Sequence, residues 1–102
     1  MMRSFAKSQE LYKEAVELIP GGVNSPVRAF QAVGDYPIFV KEGHGSHITD
    51  VDGNDYVDYI CSWGPLILGH RPEVVTKALM QGLQTGTTFG IPTAIESEMA
   101  KF

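Results

Sequence analysis

Ile38-Phe39-Val40-Lys41-Glu42-Gly43-His44-Gly45-Ser46-His47-Ile48-Thr49-Asp50-Val51-Asp52-Gly53-Asn54-Asp55-Tyr56-Val57-Asp58-Tyr59-Ile60 carries the β content of this chain. Ile38, Phe39 and Val40 read as one short strand, and Gly43 to Gly45 as a turn. Ser46–Val51 and Asp55–Ile60 read as two further strands joined by Asp52-Gly53-Asn54. An Asp-Gly pair between two strand-like runs is a strong hairpin signal, because glycine reaches the positive φ that tight hairpin turns need. The expectation is a small antiparallel sheet.

Helical periodicity flanks this region. From about Ser4 to Ile19, apolar residues at Phe5, Tyr12, Ala15, Val16 and Ile19, with Leu11 and Leu18 beside them, follow a period near 3.6. Lys7, Glu10, Lys13, Glu14 and Glu17 occupy much of the other side, and Pro20-Gly21-Gly22 stops the helix. Val23 to Tyr36 has no sustained period and reads as an ordered loop. Pro72 suits the first position of a helix running to about Gln84, with Gly86 as its stop. Thr93 and Glu96 have capping-box spacing for a last helix carrying Ile95, Met99 and Phe102. That helix reads as cut short, so the expected fold class is α+β: an N-terminal helix, a small antiparallel sheet and following helices.

Composition excludes several function classes. The chain has 102 residues, of which 43% are hydrophobic and 20% charged, which suits a globular rather than a disordered protein. A compact chain of this size buries about 60–65% of its unfolded surface. The net charge is −4 and no cluster of Lys and Arg occurs, which argues against nucleic acid as the main partner. No apolar stretch approaches the length of a membrane span, and the amino end shows no signal-peptide pattern. Cys61 is the single cysteine, which excludes a disulfide framework and a zinc quartet. A reducing, cytoplasmic location is expected.

Several constellations invite a chemical reading. Asp50 to Asp55, with Asp58 beyond, is as acidic as a calcium loop, but its glycine stands fourth from Asp50 rather than sixth. A hairpin with solvated carboxylates is the expectation, and no metal. His44 and His47 lie three apart, a spacing that on a strand points to opposite faces, so they make a poor metal pair and read as turn and surface histidines. Gly21-Gly22 and Gly86-Thr87-Thr88-Phe89-Gly90 offer backbone N–H groups, yet neither matches a phosphate-binding motif. In Asn24-Ser25-Pro26-Val27-Arg28-Ala29-Phe30, a guanidinium beside a hydroxyl in a proline-stiffened loop suits a carboxylate. Taken singly, Arg28 equally reads as a surface cation paired with one of the twelve acidic residues. In Ser62-Trp63-Gly64-Pro65, Trp63 reads as a core anchor or as a ring presented to a flat ligand.

Together these segments resemble a known family. Pro20 to Phe30 is similar to the opening signature of glutamate-1-semialdehyde 2,1-aminomutases. Asp50-Val51-Asp52-Gly53-Asn54, Tyr56-Val57-Asp58-Tyr59, Ser62-Trp63-Gly64-Pro65, Gly69-His70, Phe89-Gly90-Ile91-Pro92-Thr93 and Glu96 follow in that family's order. The hairpin and Gly-His pieces are shared with the wider class-III aminotransferase group. The Asn24–Phe30 and Ser62–Pro65 pieces point to the aminomutase, and Thr88 departs from the serine expected there.

The resemblance implies the N-terminal part of a fold-type-I enzyme that works as a homodimer. Its cofactor would be pyridoxal 5'-phosphate and pyridoxamine 5'-phosphate, and its reaction the conversion of glutamate-1-semialdehyde to 5-aminolevulinate for tetrapyrrole synthesis. By the family pattern Ser25 and Arg28 meet the substrate carboxylate, Trp63 lines the substrate side, and the Gly86–Thr93 loop lies near the subunit interface. Residues 1–102 would be a small-domain portion preceding the large cofactor domain. The Schiff-base lysine and other cofactor contacts would lie downstream, leaving no catalytic or cofactor-binding residue here. A different class-III aminotransferase and a free-standing binding or scaffold domain are the competing readings.

Overall fold

The computed structural model describes residues 2–102, which divide into two compact units, one ending at Pro72 and the other spanning Glu73–Phe102. The first unit opens with helix α1, Ala6–Leu18. Ser8 and Ala15 are buried and Tyr12 and Ile19 half-buried, so the inward stripe runs at spacings of four, three and four. Ile19 leaves the helix in extended conformation, and Pro20–Gly22 form a 3-10 turn with Gly21 at φ 72°. Gly22 is fixed by space as well: a Cβ there would lie 2.7 Å from the Tyr12 ring and 2.8 Å from Val16. The ordered loop that follows contains two further 3-10 turns, Pro26–Ala29 and Gln31–Val33, hinged at Phe30 with φ 58°.

The sheet has three antiparallel strands in the order β1-β2-β3: β1 Val40–His44, β2 His47–Asp50 and β3 Asp55–Val57. β1 lies later than expected, and the turn falls at Gly45-Ser46 rather than Gly43–Gly45. The cause is that Val40-Lys41-Glu42-Gly43-His44 is an edge strand with mostly exposed side chains, so it shows no apolar alternation. Register places His44 directly opposite His47. His44 therefore ends β1 rather than lying in the turn, and no group of three or more metal ligands forms among the described residues.

The β2–β3 connection turns as Asp-Gly implies. Gly53 donates its N–H to the Asp50 carbonyl at 3.1 Å and sits at φ 87°, the one left-handed residue of the connection. Of the acidic residues around it, Asp55 is exposed as expected from sequence, but Asp50 and Asp52 are not solvated carboxylates. Asp50 is fully buried, accepting from the backbone of Asp52 and Asn54, the Asn54 amide and the Tyr56 hydroxyl at 2.8–3.0 Å. Asp52 reaches the start of α1, accepting the N–H of Lys7 and of Ser8 at 2.9 Å each. Asn54 donates to the Ser4 carbonyl at 2.7 Å, so Asp52 and Asn54 bond the hairpin to the start of α1 and to the residue two before it.

In the second unit, α2 spans Glu73–Gly82 and α3 spans Ala94–Met99. Pro72 immediately precedes α2, and Glu73 pairs with Lys77 one turn on. Gly86, at φ 109°, donates to the Gly82 carbonyl at 3.1 Å after the helix ends. Thr93 is the N-cap of α3, but the capping box is incomplete. Its hydroxyl meets the Glu96 carboxylate at 3.4 Å, while the Glu96 N–H goes to the Thr93 carbonyl at 3.3 Å. Among the described residues no helix is long and apolar enough to cross a membrane.

Candidate functional site

Ser25 and Arg28 share one tight turn. Ser25 is extended and precedes Pro26, whose ring fixes the first helical φ of the 3-10 turn Pro26–Ala29. The Arg28 N–H donates to the Ser25 carbonyl at 3.0 Å, and Ala29, buried at 4% exposure, pins the turn to the unit. The Arg28 side chain is exposed. It forms no ion pair among the described residues, where the three pairs are His47–Asp55, His70–Asp58 and Lys77–Glu73. The structure therefore lacks the surface ion pair that a lone arginine suggests. It presents a planar, permanently charged donor fork on a stiff backbone.

Trp63 occupies a different loop. It is 68% exposed, so it anchors no core within this segment. Cys61, Ser62, Trp63 and Gly64 all have positive φ, at 51°, 55°, 68° and 104°. Three successive L-residues in the left-handed region are uncommon, because Cβ crowds the following carbonyl. Hydrogen bonds from Trp63 and Gly64 N–H to the Ile60 carbonyl, and from Leu66 N–H to the Cys61 carbonyl, close the turn. No hydrogen bond joins Trp63 to Ser25 or Arg28 among the described residues. Sequence-level expectation thus brings together Ser25 and Arg28, with Trp63 on a separate element of the same unit.

Two residues that composition and spacing did not single out hold this loop. Asp58 Oδ1 accepts the N–H groups of Ile60 and Cys61 at 2.8 and 3.1 Å, and Asp58 Oδ2 lies 2.7 Å from His70 Nε2. The His70 hydrogen bond first, then the two backbone donors, hold the Asp58 carboxyl below its usual range. His70 and Gly45 exchange backbone hydrogen bonds at 2.7 and 3.0 Å. A Cβ at Gly69 would lie 2.6 Å from the Gly45 carbonyl oxygen, and one at Gly43 would lie 2.7 Å from the His70 ring. The Gly69-His70 pair was the available sequence signal: a glycine for close approach, followed by a ring that needs a partner.

The second unit offers a cavity of about 990 Å³ between α2, α3 and the Gly86–Thr93 loop, lined among others by Leu79, Leu83, Phe89 and Ile91. Its lining is mostly apolar and carries no titratable group except Glu96. The five lysines, Lys7, Lys13, Lys41, Lys77 and Lys101, are all exposed.

Comparison with known proteins gives this geometry its family. The class-III aminotransferase profile matches residues 30–102, and the chain belongs to that family. Within it, glutamate-1-semialdehyde 2,1-aminomutase 2 of Anoxybacillus flavithermus is 60% identical over 100 residues, 98% of this chain and 23% of the relative. Glutamate-1-semialdehyde 2,1-aminomutase 1 of Listeria monocytogenes is 54% identical over the same coverage. A solved transaminase with PLP bound superposes with a TM-score of 0.85 at 38% identity, over 99% of this chain and 23% of that one. A glutamate-1-semialdehyde aminomutase from Pseudomonas aeruginosa superposes with a TM-score of 0.76 at 30% identity, over 86% and 19%. The α+β segment described above is therefore the arrangement found in those enzymes, and the chain spans about a quarter of the length of the curated relatives it matches.

Proposed function

We propose that this chain is the N-terminal, small-domain portion of a fold-type-I aminomutase that converts glutamate-1-semialdehyde to 5-aminolevulinate for tetrapyrrole synthesis. Its cofactor is pyridoxal 5'-phosphate, alternating with the pyridoxamine form, and its setting is a cytoplasmic homodimer. The observation that carries the reading is the Ser25–Arg28 turn: an exposed guanidinium without an acidic partner, on a proline-fixed backbone, beside a hydroxyl. Such a fork suits the carboxylate of a small substrate. The identity to named aminomutases over nearly the whole chain supports the same assignment.

The cofactor supplies the amine-exchange chemistry when bound, and no residue described here attaches it. In this division of labour Arg28 and Ser25 grip and orient the substrate carboxylate. Trp63 covers the substrate side and limits water, and the Gly86–Thr93 loop lies at the subunit interface. The likeness to a solved transaminase favours, as second reading, a class-III aminotransferase acting between two substrates. Assaying the complete enzyme with glutamate-1-semialdehyde and no added amino donor or acceptor separates the two. Sustained formation of 5-aminolevulinate is the expected result, and turnover only with an added oxo acid would replace the aminomutase by an aminotransferase.

A further inference from the structure

We propose that Asp58 and His70 are positioning residues whose side-chain pair holds Trp63 in its left-handed turn. The inference deepens the functional reading above and rests on Trp63 being on the substrate side. Three observations carry it. The Cys61–Gly64 backbone is strained, with three non-glycine residues at positive φ in succession, and such a conformation persists only where its surroundings over-determine it. Trp63 itself contributes little to that constraint, being 68% exposed. The constraint comes from the base of the loop, where one carboxylate performs two tasks. Asp58 Oδ1 caps the N–H groups of Ile60 and Cys61, the entry to the turn, while Oδ2 is fixed by His70, the exit of the loop.

The pair is well placed for this. The Asp58 side chain is 9% exposed and that of His70 22%, so water competes little for the 2.7 Å bond. An ionised carboxylate only accepts, so His70 Nε2 carries the proton. The His70 ring rests against Gly43, where any side chain would collide with it, and its backbone is bonded both ways to Gly45. Asp58 in turn donates its N–H to the Ser46 carbonyl at 2.8 Å. The two ends of the loop are thus referenced to the β1–β2 turn, and the side-chain pair sets their separation. Replacing the His70 side chain leaves both main-chain bonds to Gly45 and removes only this link.

The test uses the complete enzyme carrying His70→Ala, His70→Gln and Asp58→Asn. Acrylamide quenching of Trp63 is obtained by subtracting the signal of matched Trp63→Phe proteins. His70→Ala should raise that quenching clearly and raise KM for glutamate-1-semialdehyde about tenfold, with kcat and the cofactor spectrum changed little. His70→Gln, whose amide can still donate to Asp58, should restore most of both. Unchanged Trp63 quenching in His70→Ala overturns the proposal. Should His70→Ala fail to fold, Asp58→Asn decides in its place: increased quenching supports the pair and wild-type quenching overturns it. Increased quenching with unaltered KM supports the positioning pair and instead removes Trp63 from the substrate side.

Discussion

Asp52 accepts the backbone N–H of Ser8 at 2.9 Å across 44 residues of sequence, and the same carboxylate takes the N–H of Lys7. The helix has no side-chain cap of its own, since Phe5 occupies the N-cap position. Its exposed donors and positive dipole end are met instead by an anion from the hairpin turn. Asp50, fully buried beneath it, organises that turn from within. These two carboxylates join helix to sheet within this segment.

Acid should therefore loosen this unit before other causes do. Burial pushes both carboxyls up, yet their donors prevail: the Asn54 side chain, Tyr56 and backbone groups for Asp50, and Lys7 and Ser8 N–H for Asp52. The net pKa of each is lowered from 3.8. With a folded value below the unfolded one, their contribution is complete above pH 3.8 and is lost as pH falls through the folded values. Urea unfolding of the complete enzyme between pH 7 and about pH 2 checks this. Asp52→Asn should flatten the acid limb. Asp50→Asn, which turns an amide toward the Asn54 donors, should cost about 2–3 kcal/mol at neutral pH. An acid limb unaltered by either change would deny the carboxylates this role.

Gly53 isolates a backbone effect. It sits at φ 87° with nothing within 4 Å of where a Cβ would be, so a substitution there meets conformational cost and no collision. Gly53→Val should destabilise the complete enzyme by about 1 kcal/mol or more, because a β-branched residue resists positive φ. Gly53→Asn should cost much less, since asparagine tolerates that region. Equal thermal unfolding midpoints for the two variants would mean that the turn does not hold this conformation.

The elements legible in the sequence are those whose signals are local. The 3.6-residue stripe of α1, the Pro20-Gly21-Gly22 stop, the Asp52-Gly53 reversal and the Pro72 helix start all depend on near neighbours. The misplaced features depend on distant partners. β1 is polar because it is an edge, and its turn cannot be located without knowing that His44 faces His47. The acidic run looks solvated until Lys7 and Ser8 are brought to it. Asp58 and His70 are twelve residues apart and share no motif of metal or catalytic spacing, so only the closed loop reveals them as a pair. Around the candidate site, the stiffness of the Ser25–Arg28 loop was readable because proline declares it locally. The exposure of Trp63 was not, since a lone tryptophan packs inward more often than not.

The chain of residues 1–102 alone should show no aminomutase activity and form no specific aldimine with pyridoxal phosphate. All five lysines are exposed, so each resembles a solvated amine rather than an activated one. Visible spectroscopy followed by borohydride reduction and peptide mapping checks this. A stable adduct confined to one lysine would show that the segment holds a cofactor site of its own.

Arg28 gives the sharpest test of the proposed function, because its structural and chemical contributions separate. Its guanidinium is exposed and has no ion-pair partner among the described residues, so within this segment Arg28→Ala removes no ion pair. If the fork grips the substrate carboxylate, its removal forfeits a charge-assisted bond worth about 1.5–3 kcal/mol. That corresponds to a loss of about ten- to a hundred-fold in kcat/KM. Arg28→Lys should recover only part, since a point charge cannot reproduce two parallel N–H donors. Cofactor occupancy should stay near normal, because no cofactor contact is assigned to this turn. Steady-state kinetics, the cofactor spectrum and thermal unfolding read side by side distinguish the outcomes. Retained kcat/KM in Arg28→Ala, or loss of cofactor in place of substrate affinity, would remove Arg28 from the substrate site and with it the observation on which the aminomutase assignment stands.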